Sequence, residues 1–460
     1  MLLRFRVENH ASIRDEQELS MIAQRQVDGR PEVNVPGTSY AVVPVAAIYG
    51  ANASGKSNMI AAMAWMRRAI LDSYRKWDPD GGVPRIPFAF REDHAKFPSS
   101  FELDFVLDGI RHSYGFEVDD EQVLREWLEF FPEGRPRKLF ERVGADVSFG
   151  RSMTGQRKSI ADQLRLRTNS LLVSAGAQSG HGQLQAIREF FATMINSADD
   201  RDYAQRLHRT VAMFEASDET KRAAVRSLLS HADLGIVGLR AYEPDANQIA
   251  ESARLVAMIR EAFGREVRIE HSHSKRVQVV HTTDTGTFEL ALERESSGTR
   301  TWIGLIGPVV AALESGGVLI VDELDARLHP LLVDALIGLF THRQVNCLGA
   351  QLIFSTHDVT LMGRYAKSHL ARDQIWFADK NANSLATSVF PLTEFKPRMD
   401  ENHEIGYLLG RYGATPFFAD DQLGMSGVFN TTRGRGAAEP GTRPEFAEGS
   451  ERKPETADLH

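Results

Sequence analysis

The stretch Gly50-Ala-Asn-Ala-Ser-Gly-Lys-Ser57 constrains this chain more than any other. It follows the apolar run Val-Ala-Ala-Ile-Tyr ending at Tyr49 and precedes Ile60, Met63, Met66 and Ile70, which recur about once per helical turn. Strand, glycine-rich turn and helix in that order form the context of a phosphate-binding loop. Glycines let successive backbone N–H groups turn inward onto phosphate oxygens, and the helix opening at Lys56 offers them its positive end. Lys56 is spaced to reach the β- and γ-phosphates and Ser57 to ligate Mg²⁺. Gly50, Asn52, Ser54, Gly55, Lys56, Ser57 and Asn58 are therefore the candidate nucleotide-binding residues of this loop.

Such a loop needs an acidic metal site at the end of a neighbouring buried parallel strand. Gly-Gly-Val-Leu-Ile-Val-Asp-Glu-Leu-Asp, residues 316–325, fits that need: Val318 to Val321 form a continuous apolar run followed by Asp322 and Glu323. Asp322 is placed to hold Mg²⁺ through its water shell and Glu323 to polarise the attacking water. Gly298, in Glu-Ser-Ser-Gly-Thr-Arg, lies 24 residues before Asp322 and opens an apolar helix. His357, in Leu-Ile-Phe-Ser-Thr-His-Asp, lies 35 residues after it at the end of another apolar run. The Ser297-Gly298 turn is a second helix N-terminus able to meet anionic oxygen, and His357 can donate to a γ-phosphate.

These residues resemble the Walker A, signature, Walker B and His-switch motifs of ABC-type ATPases, in the soluble branch that includes RecF and the SMC proteins. The opening Phe-Arg-Val-Glu-Asn-His-Ala-Ser-Ile-Arg, the Leu-His-Pro at 328–330 and Gly-Tyr-Leu-Leu-Gly-Arg-Tyr-Gly-Ala-Thr-Pro-Phe-Phe from Gly406 resemble more narrowly the AAA-labelled ATP-binding proteins of bacterial anti-phage defence loci, RloA-like. The resemblance spans roughly residues 1–420. It implies an α/β P-loop NTPase with an ABC-type ATPase head, a mixed sheet joined by an antiparallel β-meander, and a helical insertion. It implies ATP and Mg²⁺ as ligands, with Lys56, Glu323 and His357 catalytic and Ser57 and Asp322 holding the metal. It also implies an ATP-dependent homodimer, open to higher oligomers, in which Ser297 and Gly298 touch the γ-phosphate held by the other subunit. Asp325 matches the position that contacts the partner. The signature reads Ser-Ser-Gly-Thr rather than the transporters' Leu-Ser-Gly-Gly-Gln, so transporter roles do not transfer. No glutamine stands between Lys56 and Gln122 where a Q-loop is expected, and His10 occupies a position where relatives carry Phe.

The organisation expected along the chain has four parts. Residues 1–150 hold the N-terminal half of the head: a strand alternating Leu3, Phe5 and Val7, the loop, then a hairpin whose Phe101–Leu107 and Tyr114–Val118 alternations flank Asp108-Gly109. Leu-Arg-Glu-Trp-Leu-Glu-Phe-Phe and Arg-Lys-Leu-Phe-Glu-Arg-Val extend it into a meander. Residues 151–235 read as a helical insertion, with Leu184, Ile187, Phe190, Phe191, Met194 and Ile195 on one face. Residues 236–423 hold the C-terminal half, with strands expected at Arg-Glu-Val-Arg-Ile-Glu and Phe-Glu-Leu-Ala-Leu-Glu. Residues 424–460, rich in Gly, Pro and charge, bury too little to offset chain entropy and are expected to be disordered.

Bulk properties exclude several classes. A formal charge of -8 and pI near 6.0 give no overall attraction to nucleic acid or anionic lipid. The single cysteine, Cys347, excludes an internal disulfide, and the absence of a signal peptide or a bilayer-length apolar run leads to the expectation of a cytoplasmic protein with no membrane partner. His271, His273 and His281 lack companion ligands and read as a surface strand. Arg4 and Arg6 read as solvated strand residues, with a contact to the nucleotide as the alternative. The function expected is a Mg-dependent ATP-hydrolysing dimerisation switch of an anti-phage system acting with a separately encoded effector. The alternative is a RecF-like ATP-dependent DNA-binding repair factor, in which nucleic acid is the partner. An OLD-like nuclease would need a further acidic domain.

Overall fold

The computed structural model describes residues 1–415 apart from 25–31, 91–92, 94–95, 156, 199–202, 232–234, most of 243–275, 364–365, 369 and 399–400. The proposed tail at 424–460, the expected strand at 265–270, and His271 and His273 lie outside the described residues. Among the described residues no helix is long and apolar enough to cross a membrane.

Eighteen strands are described. β1 (Leu2–Glu8), β2 (Gln17–Ser20), β3 (Val33–Asn34), β4 (Ala41–Val42) and β5 (Val45–Tyr49) precede the loop. Then come β6 (Ser99–Leu107), β7 (Ile110–Val118), β8 (Val123–Phe130), β9 (Arg137–Val143), β10 (Asp146–Phe149) and β11 (Ile195–Ala198). β12 (Ile236–Tyr242), β13 (Arg276–Thr283), β14 (Gly286–Ala291), β15 (Val318–Val321), β16 (Gln351–Ser355), β17 (Ile375–Lys380) and β18 (Thr387–Pro391) follow. The helices that frame the site are α1 (Lys56–Asp72), α2 (Arg157–Leu166), α3 (Leu172–Gln178), α4 (Gly182–Glu189), α5 (Tyr203–Glu215) and α6 (Glu219–His231). α7 (Ser297–Ser315), α8 (Pro330–Thr341) and α9 (His403–Leu408) complete them.

Two sheets organise the molecule. The antiparallel one runs β10-β9-β8-β7-β6-β1-β2, and the hairpin read from Asp108-Gly109 is its β6–β7 turn, with φ of 51° and 75° at those two residues. Positive φ at both central positions matches the right-handed twist of the strands, which is why Asp-Gly signals it. The second sheet runs β11-β15-β16-β5-β17-β18, parallel from β11 to β17 and closed by antiparallel β18. A third sheet joins β12, β13 and β14.

The parallel strands are buried on both faces, and their alternation divides the core in two. Ala46, Ile48, Val318, Ile320 and Ile353 pack with α1 and the antiparallel sheet, where Trp65 of α1 stacks on Phe101 at 4.6 Å. Val45, Ala47, Leu319, Val321, Leu352 and Phe354 pack on the opposite side with α7 and α8. Because side chains alternate at a period of two, a strand that buries both faces reads as a continuous apolar run.

Two expectations change, and the alternative reading of Arg4 and Arg6 falls away. The span 151–235 is not wholly a helical insertion: Ile195, read as the end of an apolar helix face, begins β11, which pairs in parallel with β15 from Ile195↔Val318 to Ala198↔Val321. α4 ends at Glu189, and the π-turn at Phe190–Met194 carries the chain into that strand. Arg4 and Arg6 do not approach the loop. On the outer face of β1, Arg4 pairs with Asp104 at 2.6 Å and Arg6 with Glu18 at 2.8 Å and Glu102 at 2.9 Å, because cross-strand neighbours on β2 and β6 present carboxylates to them. His281 is not an unpartnered surface histidine; its Nε2 is 2.6 Å from Glu295, one residue before Ser296. Among the described residues no group of three His, Cys, Asp or Glu could hold a metal.

One side chain ties the two sheets together. Gln351, fully buried at the start of β16, accepts from Leu2 N–H at 2.7 Å and donates to Leu2 C=O at 2.9 Å. Gln351→Leu keeps the volume but orphans both backbone groups, and should lower unfolding free energy by about 3 kcal/mol in a urea titration.

Candidate functional site

The carboxyl ends of β5, β16 and β15 arrive at one edge of the sheet, because the strands are parallel and in register at Ile48↔Ser355 and Phe354↔Val321. The chain leaves each strand there into a loop that carries chemistry: Gly50 after β5, Thr356 and His357 after β16, Asp322 and Glu323 after β15. Ligands in α/β sheets bind at such an edge.

The glycine loop is shaped by contacts that no larger residue would permit. A Cβ on Gly55 would stand 2.1 Å from Thr387 Oγ1, and Gly55 itself adopts φ 107°. A Cβ on Gly50 would stand 2.3 Å from Ala378 C=O. Thr387 of β18 binds the loop from behind: its Oγ1 donates to Ser54 C=O at 2.8 Å and lies 2.7 Å from Ser12 Oγ. Asn58 donates to the same Ser12 hydroxyl at 2.6 Å, so its amide braces the loop against the turn between β1 and β2. Ser54 is buried, and its hydroxyl has no hydrogen-bond partner among the described residues. Asn52 and Ser57 are exposed. α1 begins at Lys56 with neither a side-chain cap nor an acidic residue in its first turn, leaving its positive end for an anion.

Lys56 is 5% exposed and folds over its own loop, donating to Gly50 C=O at 2.9 Å and Ala51 C=O at 3.1 Å. Burial lowers its pKa, while Glu323, Asp322 and Asp325 act in the opposite direction. A buried ammonium whose hydrogen-bond partners among the described residues are carbonyl oxygens, at a helix N-terminus, suits a polyphosphate, whose oxygens would satisfy it more strongly.

The acidic loop is held by one hydroxyl. Ser355 Oγ, at the end of β16, donates to Asp322 Oδ1 at 2.5 Å and accepts from Glu323 N–H at 2.7 Å. Glu323 has φ 49°, in the left-handed region that a branched or long side chain rarely enters. Its neighbour Leu324 donates to Ser355 C=O at 3.0 Å, so the turn is fixed on both sides. Asp325 accepts from the His357 N–H at 3.2 Å. Its carboxylate thus orders the His357 turn of its own subunit.

A cavity of about 420 Å³ unites these pieces, lined by Asn52 to Asn58 together with Glu323, His357 and Lys380. A second, of about 430 Å³, lies beside it between α1, β11 and α7, and Ser57, Asp322, Glu323 and Arg206 reach its wall. Neither wall includes a glutamine. Ser297 and Gly298 are absent from the first cavity. They form the first turn of α7, whose N-cap Ser296 accepts from Thr299 N–H at 3.1 Å. Ser297 is exposed, and Gly298 sits so close to Arg327 C=O that a Cβ would lie 2.7 Å from it.

The remaining motifs have local explanations. His10 is 1% exposed against Phe101 at 5.5 Å and Trp65 at 6.2 Å, and burial pushes its pKa down to about 4, so it fills the aromatic core as a neutral ring. Leu-His-Pro starts α8, with His329 as N-cap and Pro330 in the first turn. Tyr407 and Tyr412 stack on Phe377 of β17 at 5.4 and 5.6 Å. Four residues escaped the reading of the sequence: Ser12, Ser355, Thr387 and Lys380. Ser355 alone had a signal, since it precedes Thr356-His357 at a strand end.

A family model described as "AAA domain, putative AbiEii toxin, Type IV TA system" matches residues 45–363. No curated protein matches the chain in sequence. Among solved structures, the SMC head domain from Thermotoga maritima is 16% identical with a TM-score of 0.36, covering 85% of this chain and 98% of that one. An Smc head bound to the C-winged helix domain of ScpA is 12% identical with a TM-score of 0.39, covering 85% of this chain and 97% of that one. An Smc head with an extended coiled coil, bound to the C-terminal domain of ScpA derived from Pyrococcus furiosus, is 11% identical with a TM-score of 0.36, covering 86% and 97%. At such low TM-scores the likeness assigns no residue a role.

Ser355→Ala removes the hydroxyl shared by Asp322 and the Glu323 N–H. Unfolding followed by tryptophan fluorescence should show a loss of about 2 kcal/mol, the cost of leaving a strained turn without its pin.

Proposed function

The chain belongs to the family described as AAA domain, putative AbiEii toxin, Type IV TA system, and from this premise we propose that it is a Mg-dependent ATPase whose nucleotide closes a homodimer. The observation that carries the reading is the single cavity in which the glycine loop, Lys56, Glu323 and His357 meet, brought from three separate strand ends.

Within it, the N–H groups of the loop and Lys56 bind and orient the polyphosphate. Ser57 and Asp322 would hold Mg²⁺: Ser57 is exposed at the start of α1, and Asp322 has one oxygen engaged by Ser355, which leaves the carboxylate oriented and its second oxygen able to act. Bound there, the metal would draw charge from the phosphates and so favour attack by water. Glu323, exposed and held by its backbone, takes the proton of that water. His357, exposed on a turn fixed by Asp325, donates to the terminal phosphate.

One chain does not complete this site. The signature turn stands outside its own cavity, with Ser297 exposed and α7's N-terminus facing solvent. A second copy would bring that turn to the open side of the nucleotide, so that binding energy at the phosphates becomes association energy between subunits. In this reading hydrolysis limits the lifetime of the assembly, and a separately encoded effector responds to it. The effector and the anti-phage role are part of this proposal; the family description itself speaks of a putative toxin of a Type IV TA system.

Size-exclusion chromatography with Mg-ATP tests the reading. Glu323→Gln should bind ATP, elute as a dimer and hydrolyse about 10²-fold more slowly than wild type. Lys56→Ala should stay monomeric, and Ser297→Arg should bind ATP without dimerising. A Glu323→Gln protein that binds ATP as a monomer would sink the clamp, while normal turnover in it would remove Glu323 from the chemistry.

A further inference from the structure

The phosphate cavity has one wall residue to which no role has fallen. Lys380 is the last residue of β17, and β17 lies beside β5 on the flank away from β16 and β15. Asp322, Glu323 and His357 therefore approach the loop from one side and Lys380 from the other.

Its placement is built rather than incidental. Lys380 pairs with Thr387 in the β17–β18 hairpin, and Thr387 is the residue whose hydroxyl holds Ser54 and whose N–H donates to Ser12 C=O at 2.8 Å. Two residues earlier, Ala378 C=O abuts Gly50, leaving no room for a Cβ. The strand end that carries Lys380 is thus joined to the glycine loop by hydrogen bonds and close backbone packing. Strand alternation turns the neighbouring Asp379 to an exposed position, away from the buried Ala378.

The charge balance points the same way. Among the described residues no carboxylate pairs with Lys380; its contact is the face of Phe90, with Nζ 6.0 Å from the ring centroid. The half-buried cations of the antiparallel sheet, by contrast, are neutralised, as Arg4, Arg6 and Arg111 are by Asp104, Glu18 and Glu102. A triphosphate in a cavity that also holds Glu323, with Asp322 adjoining, carries more negative charge than Lys56 and one divalent ion offset. A lysine on a rigid strand end, aimed at that cavity and free of a carboxylate, fits the deficit.

We propose that Lys380 is a second polyphosphate-binding cation, gripping the nucleotide from the β17 flank independently of the metal. The proposal rests on the ATPase reading above.

The test uses the full chain and ATP binding measured by calorimetry, in EDTA and again in Mg²⁺. Lys380→Met keeps the aliphatic stem and removes the charge; Lys380→Arg keeps the charge. The Met variant should bind ATP about tenfold more weakly in both conditions, and the Arg variant within about threefold of wild type. Without nucleotide all three proteins should melt within about 1 °C of one another, since a half-exposed lysine contributes little to stability. A Met variant that binds ATP like wild type overturns the proposal, as does an Arg variant as weak as Met. Failure of the wild-type chain to bind ATP at all would instead take down the ATPase reading, and this inference with it.

Discussion

The site depends on a parallel sheet that buries both of its faces. β5, β16 and β15 have no polar side that could face water, so they stack in register between two cores, and their carboxyl ends emerge together. The loop residues come from positions 50, 322 and 356, distant in the chain, yet they meet because a parallel sheet delivers every strand's end to the same edge. The crossovers that a parallel sheet requires are the helices, and α1 supplies at its start the positive end that the cradle uses.

On that edge, two buried hydroxyls do the fine positioning. Ser355 joins the acidic turn to β16, and Thr387 joins the glycine loop to β18. Each restrains a backbone that sits in the left-handed region: Glu323 at φ 49° in the first case, Ala53 at 63° and Gly55 at 107° in the second. Such conformations cost free energy for residues with a Cβ and persist only where the surroundings over-determine them. Here the surroundings are hydrogen bonds with partners fixed by the sheet.

Much of this was legible from local pattern. The loop, α1, the Asp108-Gly109 hairpin and the apolar runs of β15 and β16 each have a signal within about ten residues, because turn chemistry and periodicity act over that range. Longer-range facts were not. Ile195 continues the helical spacing of Leu184 and Ile187, and only the vacant edge of β15 draws it into a strand. Arg4 and Arg6 gave no hint of their partners, which lie 12 to about 100 residues away on adjacent strands. The second core, beneath α7, also needs a contact from a distant element: Thr210 of α5 inserts its hydroxyl between Gly307 N–H and Ile303 C=O, one residue before Pro308.

The sequence by itself determined the chemistry on offer: a glycine cradle with its lysine, two carboxylates after an apolar run, a histidine after another. Spacing along one chain encodes which groups a loop presents, since a strand, a turn and a helix start are all local events. Tertiary structure alone decided which of those groups face one another and what holds them there. Lys380, Ser355 and Thr387 come to the site only because β16 and β17 flank β5 and β18 pairs with β17, and strand neighbourhood comes from the packing of whole elements, which no short window of residues contains.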